Sequence, residues 1–149
     1  MAGQFEVTTR IDRPVEEVFA FLADGENDPR FSPRVQEMTK ATDGPVGVGT
    51  VYRSTVKDSG VRTRREFRIT GFEPPTRIRW TETSQNLVTV EEGGYDLEPD
   101  GEGATRVRLF NSLTGHGVGK VMAGAALSAA RKDAEDFGRR IKQAVEEAS

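Results

Sequence analysis

Three polar side chains share strand parity with apolar neighbours, and groups in such positions are where this chain could do chemistry. Arg65 alternates with Phe67 and Ile69, Glu82 with Ile78 and Trp80, and Asn111 with Leu109 and Leu113. Successive strand side chains point to opposite faces, so each polar group shares a face with its apolar neighbours. A guanidinium turned inward needs a carboxylate or an anionic ligand, because a buried unpaired charge is costly. Glu82 is a candidate partner for Arg65. Such a pair would orient a polar ligand or stabilise enolate-like charge. The plainer alternative is that a bulge turns Arg65 outward, or that both groups sit at a wet rim, since one slipped residue reverses every assignment. His116 is the only histidine and lies in Gly115-His-Gly117. Histidine exchanges protons near neutral pH, so His116 is a third catalytic candidate, at a cavity mouth. The alternative is a solvated loop residue, for no second catalytic group accompanies it. Tyr52 and Tyr95 are proton donors by type, or packed amphipathic strand residues.

Residue type argues against several other chemistries. Without cysteine there is no disulfide, thiol nucleophile or thiolate metal site. With one histidine, no HExxH and no Asp-rich calcium loop, the expectation is no metal, and no motif calls for a cofactor. The run Gly115-His-Gly-Val-Gly-Lys120 superficially resembles a phosphate loop. Thr114 stands where the first glycine belongs and Val121 where Ser or Thr is required, so that reading is rejected. No nucleophile-elbow motif is present. A net charge of −3 supplies no basic field for nucleic acid, and the arginines from Arg62 to Arg68 alternate as a solvated strand face would. No apolar run approaches about 18 residues and none follows Met1, so neither a membrane span nor a secretory signal is expected. A cytoplasmic location is the default.

The elements that must position these groups follow from periodicity. Phe5–Ile11 alternates as an opening strand. Asp12-Arg-Pro14 then starts a helix, with Asp12 as the expected cap and Val15, Val18, Phe19 and Leu22 as the buried face. Asn27–Pro33 fits a short second helix or a tight turn. Strand-like runs follow at Val35–Ala41, Thr50–Lys57, Thr63–Phe72, Arg77–Thr83, Leu87–Leu97 and Thr105–Leu113, divided by Gly-, Pro- and Asn-bearing turns. Such short links favour antiparallel meander pairing.

Val118–Ser149 contains no proline and reads as one long amphipathic helix. Ala123, Ala126, Ala130, Ala134, Phe137, Ile141 and Ala144 form its stripe, with alanine in the first half and bulk in the second. Phe137, Ile141 and Val145 are the expected anchor, and Ala123, Ala126 and Ala130 the roof of a cavity. Gly115–Gly119 reads as a flexible hinge. At 149 residues, 35% hydrophobic and 30% charged, the chain is expected to form one α+β domain over residues 1–149. The expected architecture is a helix grip. A seven-stranded, curved antiparallel sheet wraps a long C-terminal helix, with two short helices after the first strand.

Several segments resemble the START/birch-pollen-allergen (SRPBCC) superfamily, in its bacterial polyketide cyclase/dehydrase-like branch. IDRPVEEVFAFLAD (11–24) is similar to its strand-to-helix entry, and RFSPRVQEM (30–38) to its second-helix exit. GPVGVGTVYR (44–53) looks like its Gly-rich turn into the third strand. ITGFEPPTRIRW (69–80) and GGYDLEPDGEGATRVRL (93–109) resemble two of its hairpins. Together the motifs specify a fold, whereas activity in the family depends on variable residues lining the cavity.

The functional expectation is a small hydrophobic or amphipathic ligand (lipid, polyketide or aromatic) held between sheet and terminal helix. Its wall would be Phe67, Ile69, Ile78, Trp80, Leu97, Leu109 and Asn111, under Ala126 and Ala130. The alternative implied by the resemblance is a polyketide cyclase, aromatase or dehydratase using the same cavity, with Arg65 and Glu82 as its polar groups. An interaction module rests on fold analogy alone. Monomer and homodimer are equally compatible with the sequence.

Overall fold

Short polar turns leave room only for antiparallel neighbours, and from the second strand onward each strand pairs with the next. The computed structural model describes residues 2–58 and 60–148. In it β2 (Val35–Lys40), β3 (Val51–Asp58), β4 (Val61–Glu73), β5 (Arg77–Glu82), β6 (Val88–Pro99) and β7 (Thr105–Gly115) form a meander. β1 (Ala2–Ile11) pairs antiparallel with β7, giving the order β1-β7-β6-β5-β4-β3-β2. Consecutive strands β1 and β2 therefore sit at opposite edges of the sheet. The chain between them forms α1 (Val15–Ala23) and a 3-10 helix (Gly25–Arg30). The long helix α2 (Gly119–Ala148) packs chiefly against β1 and β7. This is the helix-grip α+β fold. Ser149, placed by periodicity at the end of the terminal helix, and Ser59, read from the sequence as part of an Asp58-Ser-Gly turn, lie outside the described residues.

Three register shifts mark the sheet, between Val35 and Glu37, Ile69 and Gly71, and Val90 and Glu92. Bulges of this kind bend a strand and increase its twist, which helps the sheet curl round the helix. They also preserve the inward parity of Phe67, Ile69, Ile78 and Trp80, because the shift in β4 falls beyond Ile69. On the convex face, Phe110 lies between the guanidinium groups of Arg79 and Arg108, at 4.9 and 4.7 Å. Both arginines bond to Asp96, at 2.8 and 3.0 Å, so an outward aromatic is covered by the stems and heads of charged residues.

Four local expectations need correction. Asp12 does not cap α1. The cap position is Pro14, with no side-chain bond, and the Asp12 carboxylate turns to Arg10 and Lys142 instead. The first half of α2 is not alanine alone, for Leu127 is buried there and packs on Gly3 of β1. Ala123 is buried against the sheet and takes no part in the cavity wall. Gly115–Gly119 is a packed turn rather than a hinge: the His116 N–H bonds to the Leu87 carbonyl at 2.8 Å and Gly119 sits against that same carbonyl.

Two close approaches set the height of α2. A Cβ on Gly3 would lie 2.3 Å from Leu127 Cδ1, and one on Gly138 would lie 3.2 Å from Val7 Cγ1. Small residues at both points let the helix settle onto β1, with Ile141 and Val145 fully buried below it. The Asp12 N–H bonds to Glu146 Oε2 at 2.8 Å and Arg13 Nη2 to the Glu146 carbonyl at 2.8 Å, tying the C-terminal end of α2 to the entrance of α1. Truncating the anchor should be strongly destabilising. Ile141→Ala is expected to lower stability by about 2–5 kcal/mol, measured as a fall in the midpoint of denaturant unfolding.

Candidate functional site

α2 lies along β1 from Leu127 to Glu146, and beside that seam, under Ala126 and Ala130, side chains do not fill the gap to the sheet. A cavity of about 310 Å³ remains. Its sheet wall includes Phe67, Ile69, Ile78, Trp80, Leu109 and Asn111, and Ala126 and Ala130 face it from the helix. The structure thus brings eight of the nine sequence-nominated ligand residues to one space. Leu97 is buried core but does not line it. Alanine at 126 and 130 leaves volume open beneath the helix, and Phe137, two turns on, closes the wall with a ring.

Asn111 is held in place across three strands. Trp80 on β5, Gly93 on β6 and Asn111 on β7 are in register, and Trp80 Nε1 donates to Asn111 Oδ1 at 3.1 Å. That bond passes over the middle strand only because Gly93 has no side chain. A Cβ there would lie 2.1 Å from the amide oxygen and 2.3 Å from the indole nitrogen. The T-shaped packing of Trp80 on Tyr95, 5.3 Å between ring centroids, fixes the indole further.

Arg65 and Glu82 do meet, but off the cavity. Neither lines it. Arg65 Nη1 donates to the two Glu82 carboxylate oxygens at 3.0 and 3.1 Å and to the Val88 carbonyl at 2.9 Å. The Glu82 carboxylate, fully buried, also accepts from the Val90 N–H at 2.9 Å, Ser84 Oγ at 2.6 Å and Asn86 Nδ2 at 2.9 Å. The β5–β6 ladder extends only to Trp80 and Gly93, and beyond it the Glu82 carboxylate serves a backbone donor of the diverging strand. With so many donors already on Glu82, the pair acts as a tie between β4, β5 and β6. His116 is exposed, its Nε2 lies 2.9 Å from Thr89 Oγ1, and it is not on the cavity wall.

A carboxyl that residue spacing did not single out faces the cavity instead. Asp28 lies in the 3-10 helix, whose period of three puts it on one side with Gly25 and Phe31, and all three line the space. Burial, reinforced by the like charge of Asp24, pushes the Asp28 carboxyl up to about 7, and no hydrogen bond or cation among the described residues offsets that. Burial also raises the Tyr95 phenol well above its ordinary value and raises that of Tyr52, so both stay neutral donors. A 3-10 turn over Gly25–Arg30 places Asp28 on the face of Phe31.

The remaining charged groups on the wall are engaged. Arg140 Nη2 bonds to Asp133 Oδ2 at 2.7 Å and Arg140 Nε to the Phe31 carbonyl at 3.0 Å, which pins the 3-10 segment to α2. The hydrogen bond from Arg140 holds Asp133 below its usual range. No cluster of His, Cys, Asp and Glu suited to a metal occurs among the described residues. No helix among them is long and apolar enough to cross a membrane.

A curved seven-stranded sheet gripping a long terminal helix over an apolar cavity defines a START-like helix-grip domain. The chain belongs to the polyketide cyclase / dehydrase and lipid transport family, which it matches over residues 2–146. Among solved structures, a Thermus thermophilus protein superposes with a TM-score of 0.81 at 19% identity, covering 99% of each chain. The ZhuI aromatase/cyclase from Streptomyces sp. R1128 gives 0.78 at 16% identity, over 100% of this chain and 97% of that one. A START superfamily protein from Mycobacterium smegmatis gives 0.73 at 14% identity, over 98% and 99%. At these identities the likeness is one of fold. No curated protein matches the chain by sequence.

Two outcomes test the division between structural and cavity-facing carboxylates. Arg65→Ala strands the buried Glu82 carboxylate and is expected to cost about 3 kcal/mol in denaturant unfolding. Asp28→Asn should do the opposite at neutral pH. The folded pKa of Asp28 lies above its ordinary value of 3.8, so folding binds a proton there and stability is lost as pH rises from about 4 through about 7. The asparagine variant is therefore expected to have the higher Tm at about pH 8, with the gain vanishing by about pH 4.

Proposed function

We propose that this chain binds one small hydrophobic or amphipathic molecule in the cavity between the sheet and α2. The observation that carries the reading is the apolar space of about 310 Å³ beneath Ala126 and Ala130. That volume is at the lower end of small-molecule sites, which commonly have apolar walls and a few placed polar groups. Here those groups are the Trp80–Asn111 pair and the Asp28 corner. Membership of a family described by cyclase, dehydrase and lipid-transport activities supports the same class of occupant.

An enzymatic reading, a cyclase, aromatase or dehydratase using this cavity, has one supporting observation beyond the family. Asp28 is a cavity-facing carboxyl near neutrality, a property suited to a general acid or base. Turnover of poly-β-ketone substrates by the native chain, abolished in Asp28→Asn, would favour it. Turnover unaffected by that change would remove Asp28 from the mechanism.

Filling the roof tests the binding reading. Ala126→Phe and Ala130→Phe are expected to leave the fold intact by circular dichroism. Both should lower the amount of small molecule retained by the purified protein in native mass spectrometry by roughly tenfold. Full retention in both variants would sink the cavity as the binding site.

A further inference from the structure

Among the polar groups on the cavity wall that make no hydrogen bond, two stand out. Ser54 is 4% exposed, and its buried Oγ makes no hydrogen bond. Buried hydroxyls are rarely left so, and an unmet one costs about 1–3 kcal/mol. Its cross-strand neighbours do not bond to it: Met38 has a thioether, and Arg65 turns its Nη1 to Glu82 and the Val88 carbonyl. The second group is the Asp28 carboxyl. Tyr52 links the two. It feels the Asp28 charge, and it precedes Ser54 by two residues on the same face of β3, about 7 Å along the strand.

We propose that Asp28 and Ser54 together hold an uncharged oxygen function, a hydroxyl or a carbonyl, on an otherwise apolar ligand. The proposal rests on the cavity-binding reading above and narrows it. An anionic head, such as a carboxylate or phosphate, is opposed by Asp24 and Glu26, whose charges add to that of Asp28 around Tyr52. The arginines on the wall do not offset them. Arg140 is held by Asp133 and the Phe31 carbonyl, and Arg34 lies 3.8 Å from Asp58. Tyr52 and Tyr95, the other titratable groups facing Asp28, remain neutral.

The two oxygen functions differ in what they need. A hydroxyl accepts from Ser54 and either donates to the Asp28 carboxylate or accepts from its acid form. A carbonyl has no proton to give, so it needs the acid. An ammonium would need the carboxylate.

Equilibrium dialysis of the full chain against naphthalene, β-naphthol, β-acetonaphthone, β-naphthoate and β-naphthylmethylamine separates these cases. At about pH 6, β-naphthol and β-acetonaphthone are expected to bind roughly tenfold more tightly than naphthalene. At about pH 8 the ketone should lose most of that margin while the naphthol keeps it. Asp28→Leu and Ser54→Ala should each shrink the margin, and His116→Gln should not. Equal binding of naphthalene and the oxygenated probes would overturn the anchor while leaving the cavity reading intact. Tighter binding of the naphthoate or the amine would overturn the uncharged class. Binding of no probe, naphthalene included, would remove the cavity reading and the anchor with it.

Discussion

The height at which α2 sits above β1 decides what the rest of the molecule can be. Gly3 beneath Leu127 and Gly138 above Val7 allow the helix to approach this flank closely, and the fully buried Ile141 and Val145 hold it there. Close packing on one flank of a curved sheet leaves the other flank too far away to fill. The alanines at 126 and 130 then face space, where a leucine would have reached the sheet. The cavity is thus a consequence of where the helix is fastened. Phe31 and Phe137, 6.0 Å apart between ring centroids, wall off part of its side, and Phe21 backs Phe31 at 6.4 Å.

Two carboxylates, Glu82 inside the sheet and Asp28 on the cavity wall, show how differently one fold can treat the same group. Glu82 accepts hydrogen bonds from a guanidinium, a hydroxyl, an amide and a backbone N–H, so its charge is met where two strands part. Asp28 is met by none of these and its acid form is favoured instead. A satisfied buried charge holds strands together but has little left to offer a ligand. An unsatisfied one weakens the fold at neutral pH, and natural sequences retain such costs mostly where a site needs them.

Much of this was legible in the residues. Alternation in β4 up to Ile69, in β5 and in β7 gives the inward parity of Phe67, Ile78, Trp80 and Leu109, because a sheet with one apolar face leaves a strand little choice of register. The pairing of Arg65 with Glu82 was legible for the same reason. Its distance from the cavity was not, since it depends on where the β5–β6 ladder stops, and no local signal in the sequence gives that. Leu127 stands beside Ala126 at the edge of the alanine stripe, and its contact with Gly3 joins residues over a hundred positions apart, which no local pattern signals. Asp12 is no cap because its carboxylate is held by Lys142, 130 positions away, and by Arg10. Asp28 stayed hidden because a segment of polar residues and prolines carries no apolar period to reveal which way its side chains point.

Unfolding gives water access to the space under the helix, so the native state with an empty cavity is the more voluminous one. Hydrostatic pressure favours the smaller volume and therefore works against such a fold. An occupant that fills about 310 Å³ takes away that volumetric weakness along with the empty space. The flank over β1, packed closely at Gly3 and Gly138, has little to yield. Compression should then act unevenly across the molecule, pressing on the roof at Ala126 and Ala130 before it disturbs the seam at Gly138.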